Sequence, residues 1–176
     1  MLFVAFVSNT NAQDVKFGIK GGLNVATLRI NNLDADSRLG FHFGAVAELE
    51  LSDRFSLQPE ILYSEFGAKE TDETLKADYI SIPIMAKYYV VDGFSFEAGP
   101  QFSFLVNDEL EVVGPVGGAV LNPQVKNFDF SLNLGMGYQF KGGIFFQTRY
   151  NLGLTNVQDN PDVKNGVLQL SLGYQF

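Results

Sequence analysis

The sequence has no cysteine and only one histidine in 176 residues. Without cysteine the chain has no disulfide framework, no thiol nucleophile, no cysteine-based metal site and no lipid anchor on a cysteine. Charged residues are also scarce, at 18%, against about 25% in a usual soluble domain. The formal net charge of −8 argues against nucleic acid as a partner, because binding its phosphate groups needs a basic patch.

Long hydrophobic runs are missing as well, because no stretch reaches the roughly 20 apolar residues of a membrane helix. The one short apolar run, Leu2 to Val7, precedes a polar stretch and the small residues Thr10 and Ala12. This pattern predicts a signal peptide over residues 1–12, with its true start upstream because the positive leading segment is missing. The alternative is a disordered chain end.

Glycine (18) and phenylalanine (17) are abundant, and apolar residues alternate with small or polar ones. In the first segment Phe17, Ile19 and Leu23 lie on one face, and Lys20 and Asn24 lie on the other. Such alternation predicts a strand with one apolar face. The pattern recurs seven more times, in 41–51, 55–64, 80–90, 94–104, 128–140, 144–154 and 168–176.

Long and short connections alternate between these eight segments. The short links are predicted to be three-residue hairpin loops, in which Gly93 and Gly143 supply the left-handed third position. Long-short alternation is typical of an outer-membrane barrel with short periplasmic turns, and it predicts that both termini are periplasmic. The long links are predicted at Arg29–Leu39, Gly67–Asp78, Asn107–Lys126 and Asn156–Asn165, and the short links at Ser52–Arg54, Val91–Gly93 and Lys141–Gly143.

The composition of the second face, the one that carries Lys20 and Asn24, decides between a soluble and a membrane barrel. A soluble barrel would carry Lys, Glu and Thr on that face, whereas here it is mainly Gly, Ser, Asn and Gln. Aromatic residues near the strand ends match the interfacial girdle. We therefore expect an all-β, eight-stranded, antiparallel up-and-down transmembrane barrel over residues 17–176, in contact with lipid of the cell outer membrane. Pro59, Pro83 and Pro100 fall inside strands, where we expect local bulges or an unpaired carbonyl that faces the lumen.

Several segments closely resemble the PorT-like family of small outer-membrane barrels from Bacteroidetes-type bacteria. They are Gly18–Asn24, Leu57–Ser64, Tyr79–Tyr88 and Gly99–Pro100. The end of the last strand, with Tyr174 and Phe176, resembles the signal that the barrel-assembly machinery recognises. The resemblance runs from about residue 17 to the end and implies the same fold and location. Some members are associated with protein secretion and gliding machinery, which implies a possible envelope complex as partner.

Charged residues on the second face are expected to pair inside the lumen, because an unpaired buried charge is very costly. If Val90 opposes Phe94, Lys87 lies directly opposite Glu97, and Lys20 with Glu48 lies at a similar height. We expect these charges to form one plug. The predicted lumen charges are Lys20, Glu48, Glu50, Glu60, Lys87, Glu97, Asp129 and Arg149.

Catalytic and metal-binding patterns are weak. His42 is predicted on the lumen face with Asp129 at a similar height, yet no motif joins them to a nucleophilic serine. The acidic clusters of the long links have no EF-hand spacing, and a solvated surface is favoured over Ca²⁺ binding. These clusters contain Asp34, Asp36, Glu70, Asp72, Glu73, Asp108, Glu109, Glu111, Asp159 and Asp162.

A filled lumen without a catalytic motif predicts a non-enzymatic barrel that needs no cofactor. Its expected role is structural or interactive, or that of an accessory subunit in an envelope complex, including a secretion-related one. The second hypothesis is a narrow pore for ions or very small solutes. The third is a barrel enzyme such as a lipase or acyltransferase.

Overall fold

A computed structural model of the protein describes residues 15–30, 33–34, 38–69, 73–114, 117–121, 126–155, 158–159 and 162–176. The predicted signal segment 1–12 lies outside them. No helix in these ranges is long and apolar enough to cross a membrane. The long strands within these ranges are β1 Val15–Ile30, β2 Arg38–Ser52, β3 Phe55–Lys69, β4 Glu73–Val91, β5 Phe94–Gly114, β6 Phe128–Gln139, β7 Ile144–Gly153 and β8 Asp162–Gln175.

These strands form a closed barrel. Each strand pairs antiparallel with the next along the chain, and β8 returns to pair with β1, with Ile19 opposite Tyr174. Closure leaves none of the eight long strands with an open edge, which is the condition for a sheet to cross lipid. The predicted fold class is therefore confirmed.

The two faces of the wall are inverted relative to a soluble protein. Phe17 and Ile19 point outward and are 57% and 61% exposed, whereas Lys20 and Asn24 point inward and are 4% and 0% exposed. A polypeptide in water would bury the first pair and expose the second. The exposed apolar wall therefore matches a lipid environment, as the alternation predicts.

The short connections confirm the predicted glycine conformations. Gly93 has φ 80° and Gly143 has φ 86°, both in the left-handed region. The expected pairing at the first of these turns is wrong in one detail. Val91, rather than Val90, pairs with Phe94. A bulge between Tyr89 and Val91 shifts the register, so that the pairing is the predicted one from Tyr89 onward, away from the turn. We call this end of the barrel the turn end, and the opposite end the loop end.

The predicted long links are too long. β3 continues to Lys69, β4 already begins at Glu73, and β5 runs to Gly114. Apolar alternation reports only where a strand faces lipid, whereas backbone pairing continues for as long as a partner strand is beside it. Short strands extend three of these hairpins further, at Leu33–Asp34, Gly117–Leu121 and Gln158–Asp159.

The bulges expected at the prolines are not present. The register between β3 and β4 is the same on both sides of Pro83, since Pro59 pairs with Ile84 and Leu62 with Ser81. Pairing is interrupted between these points but not shifted, because a proline removes one donor without adding a residue. The register also stays constant past Pro100, which pairs with Leu132.

Candidate functional site: the filled lumen

Four charged side chains meet in the middle of the turn-side half of the lumen. We call Lys20, Glu60, Glu97 and Arg149 the central ion cluster. Lys20 Nζ lies 2.7 Å from Glu60 Oε2. Arg149 binds Glu60 with two donors, at 2.9 and 2.7 Å, and its Nε donates to Glu97 at 2.8 Å. All four side chains of these ion pairs are 0% exposed. The two cations and the two carboxylates therefore neutralise one another where water is excluded.

The second ion pair lies nearer the turn end and differs from the expected one. Lys87 is directly opposite Glu97 in the ladder, as the register predicts. Its Nζ nevertheless lies 2.8 Å from Glu48 Oε2, while Glu97 accepts from Arg149. Lys87 reaches Glu48 across β3, where its ladder neighbour is the small residue Ser56. The long ammonium side chain therefore selects a carboxylate two strands away.

The expected common height of Lys20 and Glu48 is also wrong. Lys20 lies opposite Gly44, and Glu48 lies opposite Lys16, four residues nearer the turn end. Lys16 itself bonds Glu50, and both side chains are partly exposed. The plug of four charges expected from the sequence is thus divided between the central ion cluster and the Lys87–Glu48 pair.

Uncharged side chains connect these two groups, and the sequence reasoning missed them. Gln58 donates to Glu60 at 2.6 Å and accepts from Lys87 at 3.1 Å. Gln147 donates to Glu97 at 2.9 Å. Tyr89 and Gln175 donate to Glu48 at 2.6 and 2.9 Å. Their position on the lumen face was the available signal, since each lies in alternation with outward residues.

His42 lies in a polar layer next to the central ion cluster on the loop side. Its Nε2 is 2.7 Å from Ser171 Oγ, and its Nδ1 is 2.7 Å from Asn24 Oδ1. Gly22 lies between His42 and Ser171 in the ladder, so the imidazole crosses one whole strand above a residue that has no side chain. A Cβ at Gly22 would lie 1.9 Å from the Leu170 carbonyl oxygen, which explains why the position is glycine.

Asp129 does not share a site with His42. It is buried, lies opposite Ser103 on β5 and accepts a 2.7 Å hydrogen bond from Thr155. Ser103 is six residues beyond Glu97, or about 20 Å along the strand. Asp129 is therefore in the loop-side half of the lumen, remote from the central ion cluster.

The loop-side half also contains an apolar cluster that the sequence reasoning did not anticipate. We call it the outer apolar plug. Phe66 and Tyr79 are each 1% exposed, and their ring centroids are 5.3 Å apart. The sequence predicted a mainly polar lumen, because small and polar residues dominate the inward face. The plug consists of Ala26, Phe66, Ala77, Tyr79 and Val167, with Leu105 packed against it.

At the turn end the lumen opens into a vestibule of about 1140 Å³. Its lining includes Lys16, Glu50, Arg54 and Lys141, so both signs of charge are present. The Lys87–Glu48 pair, with Tyr89 bonded to Glu48, closes the inner side of this vestibule.

Within the described side chains, only Ser64, Asn151 and Gln169 have a buried polar atom without a protein hydrogen-bond partner.

The predicted assembly residues lie at the turn end of the closing strand. Tyr174 and Phe176 point outward and are 47% and 74% exposed. The Phe176 amide donates to the Phe17 carbonyl at 2.9 Å, which ties the chain end to β1.

No group of three or more metal-ligating side chains occurs among the described residues. The acidic clusters of the long links, from Asp34 to Asp162, lie outside the side chains that the structure describes.

Comparison with known proteins agrees with this architecture. The family model described as "Outer membrane protein beta-barrel domain" matches residues 11–159. Neisserial surface protein A, of Neisseria, has a similar structure at 14% identity, with a TM-score of 0.65 over 93% of this chain and 100% of that one. Ail, the attachment invasion locus protein of Yersinia pestis, is 13% identical, with a TM-score of 0.59 over 92% and 98%.

At these identities the two structures show the fold alone, and a comparison with curated proteins gives no match. The family match covers most of the chain, and the wall, closure and lumen are those of a membrane barrel. The chain therefore belongs to the outer membrane protein beta-barrel domain family, as an integral protein of the cell outer membrane.

Proposed function

We propose that this protein is a non-enzymatic outer-membrane barrel with a structural or interaction role, acting as an accessory subunit of an envelope complex. The observation that carries the proposal is the filled lumen. The Lys87–Glu48 pair, the central ion cluster, the His42 layer and the outer apolar plug follow one another along the barrel. An eight-stranded barrel has an interior that side chains just fill, so partner contacts fall to its outer surfaces.

The loop end offers the larger contact surface. A strand needs about 9–11 residues to cross the membrane, whereas β4 has 19 and β5 has 21. The extra length extends the sheet roughly 20 Å beyond the lipid-facing wall. The short strand Gly117–Leu121 pairs with β5 there, and a projecting sheet edge of this kind can add a strand from a partner. Short turns are periplasmic in such barrels, which supports an external loop end and periplasmic termini.

Catalysis is disfavoured although three residues have suitable distances. Ser171, His42 and Asn24 are ordered like a nucleophile, a base and an orienting group. Ser171 is only 5% exposed, and both of its neighbouring strands are paired with it. Its surrounding backbone amides are consequently engaged in the ladder, and none of them can stabilise an oxyanion. A fluorophosphonate probe should leave Ser171 unlabelled in folded protein, and labelling of Ser171 would support the enzyme hypothesis.

The vestibule favours the second candidate, a narrow pore, because it brings solvent into the turn end. Single-channel recording in planar bilayers separates the two candidates. We expect no conductance steps from wild-type protein whose insertion is verified by its heat-dependent gel mobility. The double variant Arg149→Ser with Glu97→Ser should stay closed as well, because the His42 layer and the outer apolar plug still fill the lumen. Steps from the wild-type protein would overturn the closed-barrel proposal.

The interaction role has its own test. A photo-crosslinking amino acid at Val113, in the extended part of β5, should capture a defined protein in native membranes. The same group at Gly142, in the β6–β7 turn, is the control for contacts at the opposite end. Equal capture at both positions, or at neither, would contradict a role for the loop end.

The proposal includes the finer assignment to the PorT-like family and a secretion-related complex. Its support is the resemblance of Leu57–Ser64 and Tyr79–Tyr88, which prove to be paired parts of β3 and β4. Between them these segments supply Gln58, Glu60 and Lys87 to the lumen network. Deletion of the gene should lower the amount of secreted protein, with recovery on complementation. Unchanged secretion would remove the secretion-related part and leave the barrel role standing.

A further inference from the structure

The lipid-facing wall is uneven, and one part of it contains a groove. A cavity of about 550 Å³ lies on the wall formed by β1, β8, β7 and β6, and it ends at the start of β5. Two rows of outward residues border it, and the backbone between the rows forms its floor. The first row is Gly21, Leu172, Phe146, Tyr138 and Phe94, and the second is Leu23, Leu170, Thr148 and Met136, each residue opposite the next in the ladder.

Two small residues create the depression. Gly21 has no side chain, and Thr148 is short and only partly exposed. Their outward neighbours Leu172, Phe146 and Leu170 are about half exposed and form the sides of the groove. The other side of the barrel has no such gap at Phe41, Phe43 and Tyr63, where aromatic rings pack 5.5–6.1 Å apart.

The dimensions of the groove match one acyl chain of a single leaflet. It crosses from β1 to β5, which is four strand spacings or about 19 Å. Because barrel strands tilt by 35–45°, the groove rises roughly 12 Å through the membrane. One leaflet contributes about half of the ~30 Å hydrocarbon core. The lower end lies at the turn-end aromatic residues Phe94 and Tyr138, and the upper end lies at Gly21, six residues into β1.

An exposed cation lies in the turn next to the lower end of the groove. Lys141 is exposed in the turn between β6 and β7, three residues after Tyr138. Phe140 packs edge-on against Tyr138 at 4.9 Å and against Phe146 at 6.0 Å, so the aromatic border and the lysine belong to one turn. An ammonium group at the membrane surface attracts phosphate.

We propose that this groove binds one acyl chain of a phospholipid from the turn-side leaflet, with the phosphate of that lipid at Lys141. The bilayer offers no hydrophobic gain for moving a chain from lipid to protein. The gain is packing, because an unfilled groove leaves its lining atoms without van der Waals partners. The chain lies obliquely against Leu172, Phe146 and Leu170, and its end lies at Gly21.

The test uses substitutions that fill the groove without disturbing the ladder. A Cβ at Gly21 would meet the His42 carbonyl oxygen at 3.4 Å and Phe43 Cβ at 3.7 Å, so Gly21→Leu fits sterically and faces lipid. Ala45→Leu adds similar apolar bulk to the wall outside the groove and is the matched control. Thr148→Leu fills the second row and replaces Gly21→Leu if that variant fails to insert.

The proteins are inserted into nanodiscs of phosphatidylethanolamine and phosphatidylglycerol, released, and weighed by native mass spectrometry. We expect a peak of one retained phospholipid for the wild type and for Ala45→Leu, and its loss in Gly21→Leu or Thr148→Leu. Lys141→Gln should lower the peak of the barrel with one phospholipid, while the mass of the lipid-free barrel stays practically the same. Equal retention in all variants, loss in the control as well, or a two-barrel species in place of the lipid would overturn the proposal.

Discussion

The central contacts of the two halves of the lumen differ in kind. The turn-side half contains the central ion cluster and the Lys87–Glu48 pair, in which each charge is satisfied by a partner on another strand. The loop-side half contains the outer apolar plug, in which Phe66 and Tyr79 exclude water by packing. Removing one ion leaves its partner buried without compensation, whereas removing one apolar side chain leaves a cavity. The comparison predicts different penalties and different rescues in the two halves.

The largest effect is expected from Arg149→Met. It leaves both Glu60 and Glu97 without their guanidinium, so the free energy of unfolding should fall by about 4–5 kcal/mol. Urea unfolding in detergent, followed by circular dichroism because the chain has no tryptophan, measures this loss. Arg149→Lys keeps the charge but loses the bidentate geometry, and it should be less damaging. Equal stability of wild type and Arg149→Met would show that the cluster does not stabilise the barrel.

Phe66→Ala tests the other half. It removes the aromatic centre of the outer apolar plug and should lower the free energy of unfolding by about 3–4 kcal/mol, since surrounding strands cannot close on the cavity. Phe66→Leu should lose much less, because it keeps most of the volume. If Phe66→Ala and Phe66→Leu behaved alike and close to wild type, the plug would not be a packed core.

Lys87→Met distinguishes the ladder partner from the ion-pair partner. The single change should cost about 3 kcal/mol, at the lower end of the range for a broken buried pair because the vestibule is near. Adding Glu48→Gln should recover most of that loss, because it neutralises the orphaned carboxylate. Adding Glu97→Gln instead should give no recovery of stability, because Glu97 forms its ion pair with Arg149. The reverse order of rescue in urea unfolding would mean that Lys87 pairs with Glu97.

The smallest effect on stability is expected outside both halves. Deleting Phe176 removes an exposed residue and should change unfolding by less than about 1 kcal/mol. It should nevertheless lower insertion into the outer membrane more than deletion of residues 13–15, if the closing strand is read by the assembly machinery. Membrane fractionation with comparison of boiled and unboiled gel mobility measures insertion. Equal insertion of the two deletions counts against the assembly signal.

The wall of the barrel was predictable because its signals are local. Alternation at Phe17, Lys20 and Asn24 gives the direction of each side chain, since the period of a strand is two. Gly93 has the left-handed conformation that its turn position predicts. The register of β4 and β5 places Lys87 opposite Glu97, as expected. The bulges predicted at the prolines are absent, because a missing hydrogen-bond donor interrupts a ladder without shifting its register.

Contacts inside the lumen were less predictable, because they join strands that are distant along the ladder. The bond of His42 to Ser171 depends on the return of β8 to β1 and on the empty space above Gly22. The outer apolar plug brings Phe66 together with Val167 from the far end of the chain. No sequence spacing predicts either contact, because only the closure of the barrel brings these strands near one another.

By itself the sequence determined a membrane barrel of eight strands, the inward or outward direction of its residues and the conformation of its glycine turns. These follow from the two-residue period and from backbone sterics, which act between neighbours. The tertiary structure decided that Lys87 binds Glu48 rather than Glu97, and that the central ion cluster lies in one half of the lumen and the outer apolar plug in the other. The reason is that ladder register fixes where Cβ atoms lie, whereas strand tilt and closure fix which side-chain ends can meet across the interior.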